Sequence, residues 1–357
     1  MGLFKDMLKD TDTLFKNTIA LDYDYMPKLI PFREKHQHFI ANCIKPLFLN
    51  RNARNLVIHG LPGVGKTVAC KHVLSELEEE SDDIYVIYIN CWQKNTSYKV
   101  ILEICDQLGY KLTHNKKGDE LFAITKNIIN KKSAVFVFDE VDKLEDYDFL
   151  YYILEEIYRK TIITITNYKD WLTNLDKRIK SRMTAEVLEF LPYTEAETRD
   201  ILKQRLKYAF IENSWNEDAI EIAIKKTTEI RDIRSGLYIL KEAGNIAEDN
   251  SSVHIDKNFV LDAIKKLDDF SSKKKEELQD DLQEILIIIK KNSGKKIGDM
   301  FRLYQGEGGK AVYKTFQRKV KKLSDNNFIS VEKIQGGAEG STTILHINTT
   351  RKTLNDF

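Results

Sequence analysis

The sequence predicts an α/β domain on a five-stranded parallel sheet, then an all-helical domain, then a small C-terminal domain of helices closed by a β-hairpin. Three observations lead there. Short β-rich runs alternate with helical patterns from Leu56 to Asn167. From Thr194 to Leu267 the pattern is helical throughout. Beyond Glu277 come helices and two strand-like runs flanking the glycine-rich turn Gly336-Gly337-Ala338-Glu339-Gly340.

The strand-like runs of the first part are Leu56–His59, Ile84–Asn90, Ala134–Phe138, Thr161–Thr166 and Val187–Phe190. Helical patterns such as Tyr98–Leu108 and Leu121–Ile129 separate them, as parallel crossovers require. Thr194-Glu195-Ala196-Glu197 reads as an N-cap with its capping glutamate and opens the helical part. Ser271-Ser272-Lys273-Lys274-Lys275 reads as a polar linker. The expected domains are residues 1–192, 193–270 and 276–357.

At 357 residues the chain is long enough for two or three cores, and its apolar and charged fractions suit a folded protein. A net charge of +1 singles out no class of partner. Cys43, Cys70, Cys91 and Cys105 have neither zinc-ligand spacing nor a disulfide pattern. The apolar stretch Ile285–Ile289 is far too short to span a bilayer, and Asp6, Asp10 and Asp12 do not suit a secretory signal. A cytoplasmic protein without a membrane partner is expected.

Gly60-Leu61-Pro62-Gly63-Val64-Gly65-Lys66-Thr67 fits the phosphate-loop pattern and sits between a strand and a helix, as that pattern demands. Glycines allow several backbone N–H groups to point at phosphate oxygens, and the helix N-terminus favours negative charge. The expected nucleotide contacts are Gly60, Pro62, Gly63, Val64, Gly65, Lys66, Thr67 and Val68. Lys66 would neutralise the β- and γ-phosphates of ATP, and the Thr67 hydroxyl would ligate Mg²⁺. The apolar run Ala134–Phe138 ends in Asp139-Glu140. Asp139 suits Mg²⁺, and Glu140 suits orienting and deprotonating the attacking water. Asn167 ends the next strand and would sit between that water and the γ-phosphate. Arg178, Arg182 and Arg234 follow; an arginine reaching the γ-phosphate stabilises transition-state charge.

In the C-terminal part, Ala311–Leu323 is amphipathic, with Val312, Phe316, Val320 and Leu323 on one face. Lys314, Arg318 and Lys321 lie on the other, with Lys310 and Lys322 nearby. Helices followed by the strands Phe328–Ile334 and Ser341–Ile347 describe a winged helix. Between Lys295 and Lys333 ten basic residues face four acidic ones, the footprint of a phosphate-binding surface. The hairpin tip offers Glu339 and no arginine, so minor-groove insertion by the wing is not expected. A solvated or protein-binding face is the competing reading.

These features together resemble the archaeal initiators related to origin recognition complex subunit one and cell division control protein six. The resemblance rests on Pro31-Phe32-Arg33-Glu34, the phosphate loop, Asp139-Glu140-Val141-Asp142, Thr166-Asn167, Leu175 to Arg182, Phe190-Leu191-Pro192-Tyr193 and Arg231 to Arg234. It implies an AAA+ core, an all-helical lid and a C-terminal winged helix. By position, Asn167 resembles sensor 1, Arg182 the arginine finger (with Arg178 its rival) and Arg234 sensor 2. Tyr25 to Arg33 would lie over the adenine, and Thr96 to Leu108 falls where such initiators touch DNA. Arg231 stands where the family usually has glycine.

The resemblance implies an ATP-dependent replication initiator with slow hydrolysis. It would bind double-stranded origin DNA, recruit or load the replicative minichromosome maintenance helicase, and act with paralogous initiator subunits. The alternatives are a regulatory or mobile-element AAA+ ATPase whose winged helix binds protein, and a clamp-loader subunit.

Overall fold

The computed structural model describes residues 13–23, 25–27, 30–309, 311–325, 328–334 and 342–347. The chain divides into two compact units between Ile264 and Lys265. The α/β part of the first unit runs α1 (Glu34–Ile44), β1 (Leu56–Gly60), α2 (Lys66–Glu80), β2 (Ile84–Asn90), α3 (Ser97–Gln107) and α4 (Gly118–Ile129). It continues with β3 (Ser133–Asp139), α5 (Asp148–Glu156), β4 (Lys160–Thr166), α6 (Lys177–Met183) and β5 (Glu186–Phe190).

The five strands are parallel, in the order β2-β3-β4-β1-β5. The interior strand β3 is buried along its whole length, so its sequence is a continuous apolar run rather than an alternation. Alternate residues still choose sides. Ala134, Phe136 and Phe138 pack with α3, α4 and α5, including Val100, Leu121 and Phe149. Val135 and Val137 pack with α1 and α2, through Ile40, Ala69 and Val73. This order brings the C-terminal ends of β1, β3 and β4 side by side, where ligands bind in open α/β sheets.

The lid follows in the same unit: α7 (Glu195–Ala209), α8 (Glu217–Ile230), α9 (Ile233–Asp249) and the start of α10 (Lys257–Lys291). The capping box is formed: Thr194 Oγ1 accepts from Glu197 N, and Glu197 Oε2 accepts from Thr194 N at 2.8 Å. Residues of the N-terminal arm, grouped with the core on sequence, bond to the lid instead. Lys16 N donates to Ala209 O at 2.8 Å and Ile211 N to Leu14 O at 3.0 Å. The cause is apolar: Leu14, Phe15 and Leu21 are buried, and the Phe15 ring lies 4.6 Å from that of Phe210.

The polar stretch Ser271–Lys275, expected as a linker, lies inside α10, whose backbone is helical from Lys257 to Lys291. It contains no Gly or Pro, and its three lysines are good helix formers, so a polar composition does not break the helix. The second unit continues with β6 (Lys295–Lys296), α11 (Ile297–Gly306), α12 (Tyr313–Asp325), β7 (Ile329–Ile334) and β8 (Thr342–Ile347). The strands form an antiparallel sheet ordered β6-β8-β7, the topology of a winged helix. Its core joins Ile285, Ile289, Tyr304, Phe316, Val320 and Leu345. Val312, expected in that core, precedes the first turn of α12 and is exposed.

Among the described residues no helix is long and apolar enough to cross a membrane. All four cysteines are buried and free.

Candidate nucleotide-binding site

The loop from β1 to α2 carries the phosphate pattern. Gly63 and Gly65 have φ of +71° and +88°, a region that a side chain enters only at a cost. Space also excludes one: a Cβ at Gly63 would overlap the Asp232 carboxylate, and one at Gly65 would lie 2.7 Å from the Tyr193 hydroxyl. Lys66 opens α2 and is buried. Its Nζ donates to Gly60 O and Leu61 O, both at 2.8 Å, and to Asn167 Oδ1 at 2.9 Å. Burial lowers its pKa to about 8, with Asp139 opposing and Arg234 assisting.

Asp139 ends β3 and is buried. Its Oδ2 accepts from Thr67 Oγ1 at 2.7 Å, so the two residues expected to hold Mg²⁺ are already hydrogen-bonded to each other. Among the described residues no group of three or more His, Cys, Asp or Glu could hold a metal by itself. One carboxylate and one hydroxyl fit a hard cation that keeps its waters and reaches the protein with a phosphate, which is the habit of Mg²⁺. Glu140 has φ +53°, and its N–H donates back to Asp139 Oδ1 at 2.8 Å. Burial, then Asp139 and Asp142, raise its carboxyl above the usual range. Asp142 Oδ1 accepts from Thr166 Oγ1 at 2.9 Å, which ties the acidic strand to the strand that presents Asn167.

Lys66, Thr67, Asp139 and Glu140 border a cavity of about 530 Å³ shared by core and lid, whereas Asn167 is outside its lining and is joined to it through Lys66. Of the expected nucleotide contacts, Gly63, Gly65, Lys66, Thr67 and Val68 line it. Gly60 contributes its carbonyl to Lys66. Val64 is buried and its carbonyl accepts from Arg33 Nε at 3.1 Å. Arg234 enters from the lid at the start of α9; its N–H is capped by Asp232 Oδ1 at 2.8 Å, and Ile233 N donates to Gly63 O at 3.4 Å. The lid therefore touches the phosphate loop directly. Arg182 is not brought here: its Nε donates to Glu155 Oε2 at 2.6 Å, and its guanidinium lies over Tyr151. Arg178 is exposed and bonded to Asp176.

Apolar and aromatic side chains also line the cavity: Tyr25, Met26, Ile30, Ile201, Tyr208 and Leu237. Sequence reasoning anticipated Tyr25 but missed the lid face. Ile201, Gln204, Arg205 and Tyr208 all line the cavity, at a spacing of three, four and seven that puts them on one side of α7. The Arg205 guanidinium lies 4.8 Å from the Tyr25 ring centroid, and its Nη1 donates to Ala20 O at 3.2 Å. Arg33 was quoted as part of a motif, yet its task was invisible. It is buried, stacks 3.9 Å from the Tyr193 ring centroid, and joins the phosphate loop to Leu191 O at 2.6 Å.

Arg231 ends α8 at φ +61°, the left-handed conformation that glycine adopts without strain. Arg231→Gly should therefore raise stability by about 1 kcal/mol. The measurement is the urea midpoint at unchanged m-value; an unchanged or lower midpoint would show that the arginine side chain compensates for its backbone.

Residues 49–166 match the family described as AAA domain, and residues 199–265 the family described as Cdc6 AAA+ ATPase-type lid domain. The chain is 27% identical over 378 residues to the ORC1-type DNA replication protein 1 of Methanothermobacter thermautotrophicus, spanning 100% of this chain and 99% of that one. It is 31% identical over 293 residues to the ORC1-type DNA replication protein of Thermococcus kodakarensis, spanning 76% of this chain and 68% of that one. The solved ORC1 protein of Aeropyrum pernix, in complex with DNA, has the same fold, with a TM-score of 0.69 at 23% identity over 93% of both chains. Phosphate loop, acidic strand, lid arginine and these likenesses agree, and the chain belongs to the ORC1-type DNA replication proteins, with an AAA+ core and a Cdc6-type lid.

Proposed function

We propose that this protein is an ATP-switched replication initiator that binds double-stranded origin DNA and helps recruit or load the minichromosome maintenance helicase. One observation carries the switch: a single cavity is walled by the phosphate loop and acidic strand on one side and by Arg234 of the lid on the other. A nucleotide there contacts both, so its γ-phosphate changes what holds the lid closed. The working parts are the core within residues 1–192, the lid within 193–270 and the winged helix within 276–357.

Lys66 neutralises phosphate charge, and the loop N–H groups orient the phosphates. A bound Mg²⁺, held by Thr67 and through water by Asp139, would supply further neutralisation of the phosphate oxygens. Glu140 accepts the proton of the attacking water, and its raised pKa brings it closer to the operating range of a general base. Asn167 orients that water. Arg182 lies outside its own chain's cavity, so it completes the site of a neighbouring copy or paralogous subunit.

For DNA the supporting feature is α12. Phe316, Val320 and Leu323 are buried, whereas Lys314, Arg318, Lys321 and Lys322 are exposed. Lys310, expected beside them, and the hairpin tip with Glu339 lie outside the described residues. The Aeropyrum relative was solved with DNA, which supports the same partner here. Changing Lys314, Arg318 and Lys321 together to alanine removes up to three phosphate contacts. The slope of log affinity against log salt should shallow by roughly 2 to 3. The fold should survive, since exposed Lys or Arg to Ala on a helix is nearly neutral. A folded triple variant with wild-type duplex affinity and salt slope would remove α12 as the reader and favour a protein-binding winged helix.

A further inference from the structure

Asp139 accepts more hydrogen bonds than the phosphate loop explains. Besides Thr67 Oγ1, its Oδ2 accepts from the Tyr88 hydroxyl, also at 2.7 Å. Tyr88 lies on β2, in register with Val137 of β3, so Tyr88 and Asp139 are diagonal neighbours on one face of the sheet. That face carries α2, and Lys71 Nζ sits 4.7 Å from the Tyr88 ring centroid. The phenol lines the cavity beside Asn90 and Lys71.

Tyr88 is also held from outside. β2 is an edge strand, and the Gln107 side chain of α3 takes the place of a further strand. Tyr88 N donates to Gln107 Oε1 at 3.2 Å, and Gln107 Nε2 donates to Tyr88 O at 2.8 Å. Backbone, ring and hydroxyl of this one residue are thus each placed by a different element.

We propose that Tyr88 is a positioning residue for the divalent-cation site: its hydroxyl holds the Asp139 carboxylate in the orientation that a nucleotide-borne Mg²⁺ requires. This rests on the nucleotide-site reading above. Thr67 has one hydroxyl proton, and it stands in the first turn of α2, beside the loop that receives the phosphates. Thr67 Oγ1 would offer a lone pair to a bound cation while its hydroxyl still donates to Asp139 Oδ2. A second donor on the neighbouring strand β2 holds the carboxylate independently of Thr67. A merely structural hydroxyl, satisfying a buried acceptor, would leave the cation dependence alone.

The test uses the full chain, a fluorescent ADP analogue, and titrations in EDTA and across a Mg²⁺ series. Tyr88→Phe keeps the ring and loses the donor. Its affinity in EDTA should stay within about twofold of wild type, while the Mg²⁺ needed for half-maximal tightening rises about tenfold, the effect of one hydrogen bond to a charged group. In an Asp139→Asn background the same change should shift the Mg²⁺ midpoint by less than about twofold, because the coupled partner is gone. An unchanged Mg²⁺ midpoint in Tyr88→Phe, an equal loss in EDTA, or a shift that persists with Asp139→Asn would overturn the assignment. Failure of the wild-type chain to bind the analogue in either condition would overturn the nucleotide-site reading itself.

Discussion

Replacing Lys66 by alanine should weaken ATP and ADP binding by at least about 100-fold, since two or more charge-assisted contacts to phosphate go with it. Lys66 lines the cavity, and its Nζ is held there by Gly60 O, Leu61 O and Asn167 Oδ1. The lowered pKa adds a pH signature. At about 8 the free site begins to lose its ammonium charge, so nucleotide affinity should fall as pH rises through that value. The stability of the ligand-free protein should move the other way. A lysine whose folded pKa lies below its unfolded value leaves the unfolded chain with more protons, so stability rises from about pH 8 toward the ordinary lysine value. Calorimetric titration at pH 7 and pH 9, with thermal melts at both, reads the two trends. Wild-type ADP affinity in Lys66→Ala would remove this loop as the phosphate site.

Glu140→Gln should leave nucleotide binding nearly intact and slow single-turnover hydrolysis by about 10²–10⁴-fold. The amide can still hydrogen-bond the water and cannot take its proton. The backbone should not change, because the N–H of residue 140, not its side chain, bonds Asp139 Oδ1. In the wild-type chain, hydrolysis should fall as pH drops through the raised Glu140 pKa, since only the carboxylate form is a base. Unchanged single-turnover hydrolysis in the variant would transfer the role of base to another group.

Much of the candidate nucleotide site was legible in the sequence because its parts are local. Gly63, Gly65, Lys66 and Thr67 act through the geometry of one strand–loop–helix, and that geometry is written in their spacing. The same holds for the Thr194 capping box, whose two hydrogen bonds span three residues. The buried strand announced itself as an apolar run ending in Asp139 and Glu140. The fold class followed from alternation, and the antiparallel C-terminal strands from two β-rich runs after helices.

Tertiary structure decided what pairs with what. Lys66 meets Asn167 across 101 residues of chain, and Tyr88 meets Asp139 across 51, only because the sheet runs β2-β3-β4-β1-β5. No periodicity encodes that order. It also decided that Arg182 faces away from its own cavity while Arg205 and Tyr25 meet inside it, a difference that charge and spacing do not carry. The arm at Leu14 and Phe15 chose the lid because apolar surface goes where a matching face is open, and polarity at Ser271–Lys275 did not interrupt a helix that contains no Gly or Pro there. The sequence by itself determined the chemistry each residue can perform. The three-dimensional packing determined which of those residues meet, because contacts between distant segments depend on the burial of whole faces.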